Sequence, residues 1–167
     1  NLNGVDFSDL EIENAIFDDI SVVGANFRNT DVSLAQFNNV DMRGADFVEA
    51  QLYSATVKNC DARYARFNNA IFSNSKVIDS DFSHSDISGI ISNNAAFSNF
   101  KAKKSNFSYV SLDNVDFRNS DFSNASFIGS RIVNSYFIDS NLDYADLTGT
   151  NLNYGSRSEE RRVGKEC

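Results

Sequence analysis

A large apolar residue occupies every fifth position from Leu2 to Leu152: Leu2, Phe7, Ile12, Phe17, Val22, Phe27 and onward, with only Ala62, Ser92 and Ala102 small. A second series runs two residues earlier. It is mostly Ala in the first half (Ala25, Ala45, Ala65) and largely Ser in the second (Ser105, Ser120, Ser140). Residues two apart in extended chain point to the same side. The unit is therefore small–polar–large–polar–polar with two inward side chains, as in Ala25-Asn26-Phe27-Arg28-Asn29. On a helix, five steps of roughly 100° scatter such a series around the axis. On a straight strand, an odd period sends successive large residues to opposite faces. A corner in every unit resolves the conflict. The last residue of the unit is mostly Asn, Asp or Gly (Gly4, Asp19, Gly44, Asn59, Asn74, Asn119), the residues that best tolerate left-handed backbone angles. The pattern predicts a solenoid of very short straight segments.

Phenylalanine sets the number of sides. At positions spaced by ten it fills Phe7, Phe17, Phe27, Phe37, Phe47, Phe67, Phe97, Phe107, Phe117, Phe127 and Phe137; the interleaved large positions hold only Phe72, Phe82 and Phe122. Alternation with period ten closes on itself when a coil has four sides and about 20 residues. The expected core is thus two opposite aromatic stacks with aliphatic stacks between them. Bulk shifts along the chain where the register falters: Ile90 precedes Ser92, and Phe100 precedes Ala102. The stretch from Ile90 to Lys104 is accordingly where a bulge or irregular corner is expected.

These units resemble the pentapeptide-repeat family, whose pattern is written A(D/N)Lxx. Matching stretches are Ala25-Asn26-Phe27, Ala45-Asp46-Phe47, Ser80-Asp81-Phe82, Val115-Asp116-Phe117, Ser120-Asp121-Phe122 and Ala145-Asp146-Leu147. The resemblance covers residues 1–155 and implies an all-β fold, a right-handed quadrilateral β-helix of nearly eight coils in one domain. Phe in place of Leu and Ser in place of Ala depart from the pattern but keep the small–large alternation.

Residues 156–167 break the repeat. From Arg157 to Cys167 they look like an in-frame translation of a sequencing-library adapter, and are read as a non-native or disordered tail. The chain is then expected to be a fragment truncated at both ends. Residues 157–167 hold four Lys/Arg and three Glu, so the repeat region carries −9 against −8 for the whole chain. Setting Cys167 aside leaves Cys60 at an inward small site, where an inert buried thiol is expected.

Charge and chemistry point away from catalysis. His84 stands alone at an outward corner. No metal-ligand cluster, phosphate loop or nucleophile motif occurs, so no catalytic residue, metal or cofactor is expected. Stacking residues 20 apart aligns Asp41, Asp61, Asp81 and Asp121 in one acidic column, interrupted by Lys101 and flanked by Arg43, Arg63 and Lys103. Only Thr30, Thr56, Thr148 and Thr150 could supply the threonine ladder of an ice-binding face, and no two of them stack in adjacent coils.

The function expected is a non-catalytic scaffold mediating protein–protein interaction. The alternative, which the resemblance implies for some acidic members of the family, is a DNA mimic that binds a type II topoisomerase such as gyrase and protects against quinolones. The expected partner is a protein, without direct nucleic-acid binding and without a membrane span. A homodimer through a truncated end is compatible with this reading, and a cytoplasmic location is favoured.

Overall fold

The computed structural model describes residues 1–153, which form an all-β solenoid without helices. The tail from 156 onward lies outside the described residues. Four sets of parallel pairings, each offset by 20 residues, define the coil. They are seen in Asp6↔Asn26, Glu11↔Asp31, Ile16↔Gln36 and Ser21↔Asp41. Four ladders at five-residue intervals make the coil four-sided. At 20 residues per coil the described chain completes seven coils and most of an eighth. Where the chain runs as recognised strand, it forms β1 (Ile16–Asp18), β2 (Gln36–Asn38), β3 (Thr56–Lys58), β4 (Lys76–Ile78), β5 (Ile91–Asn93), β6 (Ala96–Ser98), β7 (Ser111–Asp113), β8 (Arg131–Val133) and β9 (Asn151–Asn153).

The corners fall once per unit. Positive φ recurs at every fifth residue from Gly4 (65°) to Gly149 (69°). Most of these positions are Asn, Asp or Gly, but Leu34, Glu49, Ser54, Tyr64, His84, Lys104, Tyr109 and Tyr144 also adopt the left-handed region. Each turn lets the next large residue point inward again, which answers the odd period. At many corners the N–H of the small residue closes the turn onto the carbonyl of the large residue before it, as in Ala25 N–H to Val22 O at 3.0 Å.

Phe27 lies flat between Phe7 (centroids 4.7 Å apart) and Phe47 (4.5 Å), and Phe17 lies flat on Phe37 (4.7 Å). The ring spacing equals the spacing of adjacent strands, so backbone ladder and ring stack share one repeat. The two stacks meet edge-on across the core, as in Phe27–Phe37 at 6.4 Å and 81°. Mid-rod the two-stack arrangement changes. Val57, Val77 and Ile87 replace Phe on the aromatic walls, and Phe72, Phe82 and Phe100 fill the space from the other sides. The rings stay connected through Phe67–Phe82 (5.1 Å), Phe82–Phe100 (5.0 Å) and Phe100–Phe107 (6.3 Å).

No bulge appears between Ile90 and Lys104. The 20-residue register continues through Ile71↔Ile91, Ile91↔Ser111 and Lys101↔Asp121. What changes there is which wall carries recognised strand. β1, β2, β3, β4 and β6 form one five-stranded sheet, and β5, β7, β8 and β9 form another on the preceding wall. Bulk moved by one site is absorbed by a change of corner, which leaves the inter-coil hydrogen bonds intact.

Buried serine explains the drift away from alanine. Ser105 donates to Phe82 O at 2.7 Å and Ser120 to Phe97 O at 3.2 Å, each 23 residues back. Ser80 and Ser120 also accept the N–H of Cys60 (3.0 Å) and Phe100 (3.2 Å) from the coil before. These are corners where that N–H does not close the turn. The hydroxyl thus satisfies a buried amide that alanine would leave bare.

Candidate interaction surface

With every inward site committed to the core, any binding chemistry belongs to the outward positions of the four walls and to the corners. Among the described residues no group of His, Cys, Asp and Glu could hold a metal ion. The described residues also contain no helix long and apolar enough to cross a membrane.

The acidic column is the most ordered charged feature. Asp41 pairs with Asp61, Asp61 with Asp81, Asp81 with Lys101, and Lys101 with Asp121 along one ladder. Inward residues on either side fix the outward direction of these side chains. Arg43 grips Asp41 with two bonds (Nε–Oδ1 2.8 Å, Nη2–Oδ2 2.7 Å), and Arg63 grips Asp61 the same way (2.8 and 2.6 Å). Arg43 also lies 3.8 Å from Asp61, and Lys103 Nζ sits 3.2 Å from Asp121. Donation from the Arg43 side chain holds the Asp41 carboxyl below its ordinary range, and donation from Arg63 does so for Asp61. For Asp121, partial burial raises the pKa, but bonds from the Ser123 backbone and hydroxyl, together with Lys103, outweigh it and the net shift is downward. Asp81 accepts the Ser83 N–H at 2.9 Å. The column is therefore a run of carboxylates broken by Lys101, with Asp41, Asp61 and Asp121 each paired to a cation of the neighbouring column. A shallow groove of about 390 Å³ runs beside it, lined by Asn59, Cys60, Asp61, Asp79, Ser80, Asp81, Asn99 and Lys101.

The corner next to this wall carries Tyr64, whose ring stacks on His84 at 5.1 Å. One corner column away from the groove, asparagines bridge coils: Asn114 Nδ2 donates to Asn94 Oδ1 at 2.8 Å. On the groove's own corner, Asn39 donates to Asp19 at 2.9 Å and Asn99 to Asp79 at 2.8 Å. Of the large aromatic positions, Phe27, Phe37, Phe47, Phe67, Phe97, Phe107, Phe117 and Phe127 are fully buried, Phe17 is buried, and Phe7 and Phe137 pack partly buried against the core. Cys60 is buried, and desolvation pushes its thiol up to about 11. Its Sγ–H points at the carbonyls of Phe37 and Lys58, both at 3.3 Å, in the same manner as the buried serines.

A second outward surface stands apart from the charged column and is not marked by charge. On the wall bearing β5, outward Ile71 and Ile91 pair in adjacent coils and Tyr53 is half exposed nearby. Reading the outward positions with period 20 finds these residues; a count of net charge does not.

A model of the pentapeptide repeat region matches residues 1–67 and 34–107, and a model of eight pentapeptide repeats matches residues 103–137 and 120–154. No curated protein matches the chain in sequence. Among solved structures, the chain is similar to a trypsin-treated form of QnrB1, a plasmid-mediated fluoroquinolone resistance protein. Identity is 18%, coverage is 89% of this chain and 91% of that one, and the TM-score is 0.60. It also aligns with HetL, a protein involved in heterocyst differentiation regulation from the cyanobacterium Nostoc sp. strain PCC 7120. There identity is 15%, coverage 93% and 88%, and the TM-score 0.40.

Proposed function

The chain belongs to the pentapeptide-repeat family, and from that premise we propose that it is a non-catalytic scaffold that binds a protein partner through its outward walls. One observation carries this reading: fold and surface are decoupled. Each unit spends its inward pair on the core and its last residue on the corner, which leaves the remaining outward side chains free to vary. The walls display patchwork charge, and the groove beside the Asp column is shallow and open to solvent. The test is capture of a partner by chemical cross-linking to the intact chain, compared with variants altered on one wall at a time. Loss of the cross-link from one wall alone, with an unchanged circular dichroism spectrum, supports the scaffold. Loss from all walls equally, or from none, refutes it.

A second reading, an acidic DNA mimic acting on a type II topoisomerase such as gyrase, draws on the net charge of −9 over residues 1–156 and the alignment of Asp41, Asp61 and Asp81. The resistance role in the QnrB1 name belongs to that protein, and at 18% identity the likeness supports the fold alone. The bidentate Arg43 and Arg63 pairs interrupt the field that mimicry needs, so the scaffold is favoured. A supercoiling assay separates the two. If the mimic is right, the intact rod inhibits gyrase, and Arg43→Ser with Arg63→Ser, which bares the carboxylates, inhibits more strongly. No inhibition by either protein removes the mimic.

A further inference from the structure

We propose that two copies of this chain associate side by side through the wall that carries Ile71 and Ile91, antiparallel and in one specific register. The inference goes beyond the scaffold reading and does not depend on it.

This wall is anomalous for an outward surface. Between Asp31 and Asp113 its outward positions are Ser33, Gln51, Tyr53, Ile71, Ser73, Ile91, Asn93 and Ser111, with no charged side chain. Ile91 is 45% exposed and Tyr53 49% exposed. The opposite edges of the same wall carry charges of opposite sign, Asp31 toward one end and Arg131 toward the other. Uncharged flat β surface with an exposed Ile91 and a half-buried Ile71 at its centre is suited to exclusion of water by another flat surface.

Charge complementarity identifies the other surface as a second copy. A two-fold axis lying in the interface, perpendicular to the rod, sets each outward column against its own copy running the other way. With the axis between Ile71 and Ile91, each Ile71 faces the other copy's Ile91. Asp31 lies two coils beyond Ile71 and Arg131 two coils beyond Ile91, so each Asp31 meets an Arg131. In the neighbouring column the same operation sets the Tyr53 hydroxyl against the Asp113 carboxylate. Sliding the copies by one coil keeps only one isoleucine of each copy against its twin, sets the other against Gln51 or Ser111, and separates Asp31 from Arg131. Both charged partners have capacity for this. Among the described residues Arg131 makes a single, 4.0 Å contact with a carboxylate, that of Asp113, and Asp31 accepts the Ser33 N–H at 2.9 Å on one oxygen. The wall offers a face of roughly 15 by 30 Å, on the order of 900 Å² over both copies, at the low end for a specific interface. The dimer is therefore weak and concentration-dependent.

Sedimentation velocity of the full chain over a range of concentration tests this, under reducing conditions so that Cys167 cannot cross-link. The wild type is expected to pass from monomer to dimer as concentration rises. Ile91→Lys, at a half-exposed site outside the core, is expected to weaken association at least about tenfold. Asp31→Lys and Arg131→Glu should each weaken it, and combining both in one chain should restore it, because the pairing returns with its signs exchanged. A wild type monomeric up to about 1 mM overturns the proposal. So does a dimer indifferent to Ile91→Lys, or a combined charge variant no tighter than the single ones.

Discussion

Ser130 donates its hydroxyl hydrogen to the carbonyl oxygen of Phe107, 2.8 Å away in the previous coil, while its own Oγ accepts the Val110 N–H at 3.2 Å. One small side chain thereby satisfies two buried backbone groups between adjacent coils. Ser130→Ala strands the Val110 amide in the core and is expected to cost about 1–3 kcal/mol. Ser130→Thr should lose little, since Thr30 makes the same bond to Phe7 O at 2.7 Å on the same wall. Urea unfolding midpoints and hydrogen exchange at the Val110 amide read the difference. Equal midpoints for the alanine and threonine variants would remove the bridging role.

Phe117 is fully buried and sits between Phe97 (5.1 Å) and Phe137 (4.9 Å), with Phe122 edge-on at 5.2 Å. Phe117→Ala should cost about 3–5 kcal/mol through the void left in the stack. Because each coil contacts only its neighbours, the loss should break cooperativity as well. The expected result is a two-step unfolding curve, with exchange protection lost first in coils on the C-terminal side. A single transition shifted by less than about 1 kcal/mol would show that the stack repacks.

The five-residue period placed the corners well, because only left-handed backbone can turn every large residue inward, and positive φ recurs from Gly4 to Gly149. Period-ten phenylalanine marked the stacks at Phe7–Phe27–Phe47 and Phe17–Phe37 for the same steric reason. The change of strand-bearing wall between β4 and β6 was not legible. It follows from where bulk such as Phe100 must fit among rings from three coils, which is a tertiary fact. The pairing of Asp41 with Arg43, two residues apart, was half legible. Their adjacency was visible, but the bidentate geometry depends on the pleat that sets both side chains on one face.

Lys104 adopts φ of 56° with an ordinary Cβ, at an exposed corner where Asn, Asp or Gly is the rule. Left-handed backbone costs such a residue roughly 1 kcal/mol relative to glycine or asparagine. Lys104→Asn is therefore expected to stabilise the rod by about 0.5–1 kcal/mol, a rise visible in thermal melts. Gly24→Ala provides the converse. It has φ of 63° and open space around a new Cβ, so backbone strain alone should destabilise it by a similar amount. A destabilising Lys104→Asn would instead mean that the lysine side chain contributes a contact worth more than the strain.

Burial makes the Cys60 thiol hard to ionise, raising it from 9.0 to about 11. The folded chain then holds that proton more tightly than the unfolded one. Its stabilising effect is complete below pH 9 and is lost as pH rises through about 11, where the unfolded thiol ionises freely and the folded one resists. The informative quantity is the difference between wild type and Cys60→Ser. The hydroxyl of that variant can make the bond to Phe37 O that the thiol now makes at 3.3 Å. Across that interval wild type should lose on the order of 2 kcal/mol relative to the variant. Native Cys60 should also resist alkylation by iodoacetamide until urea unfolds the coil around it. Parallel pH profiles for the two proteins, or alkylation of Cys60 at the rate of a free thiol, would place the sulfur in contact with solvent.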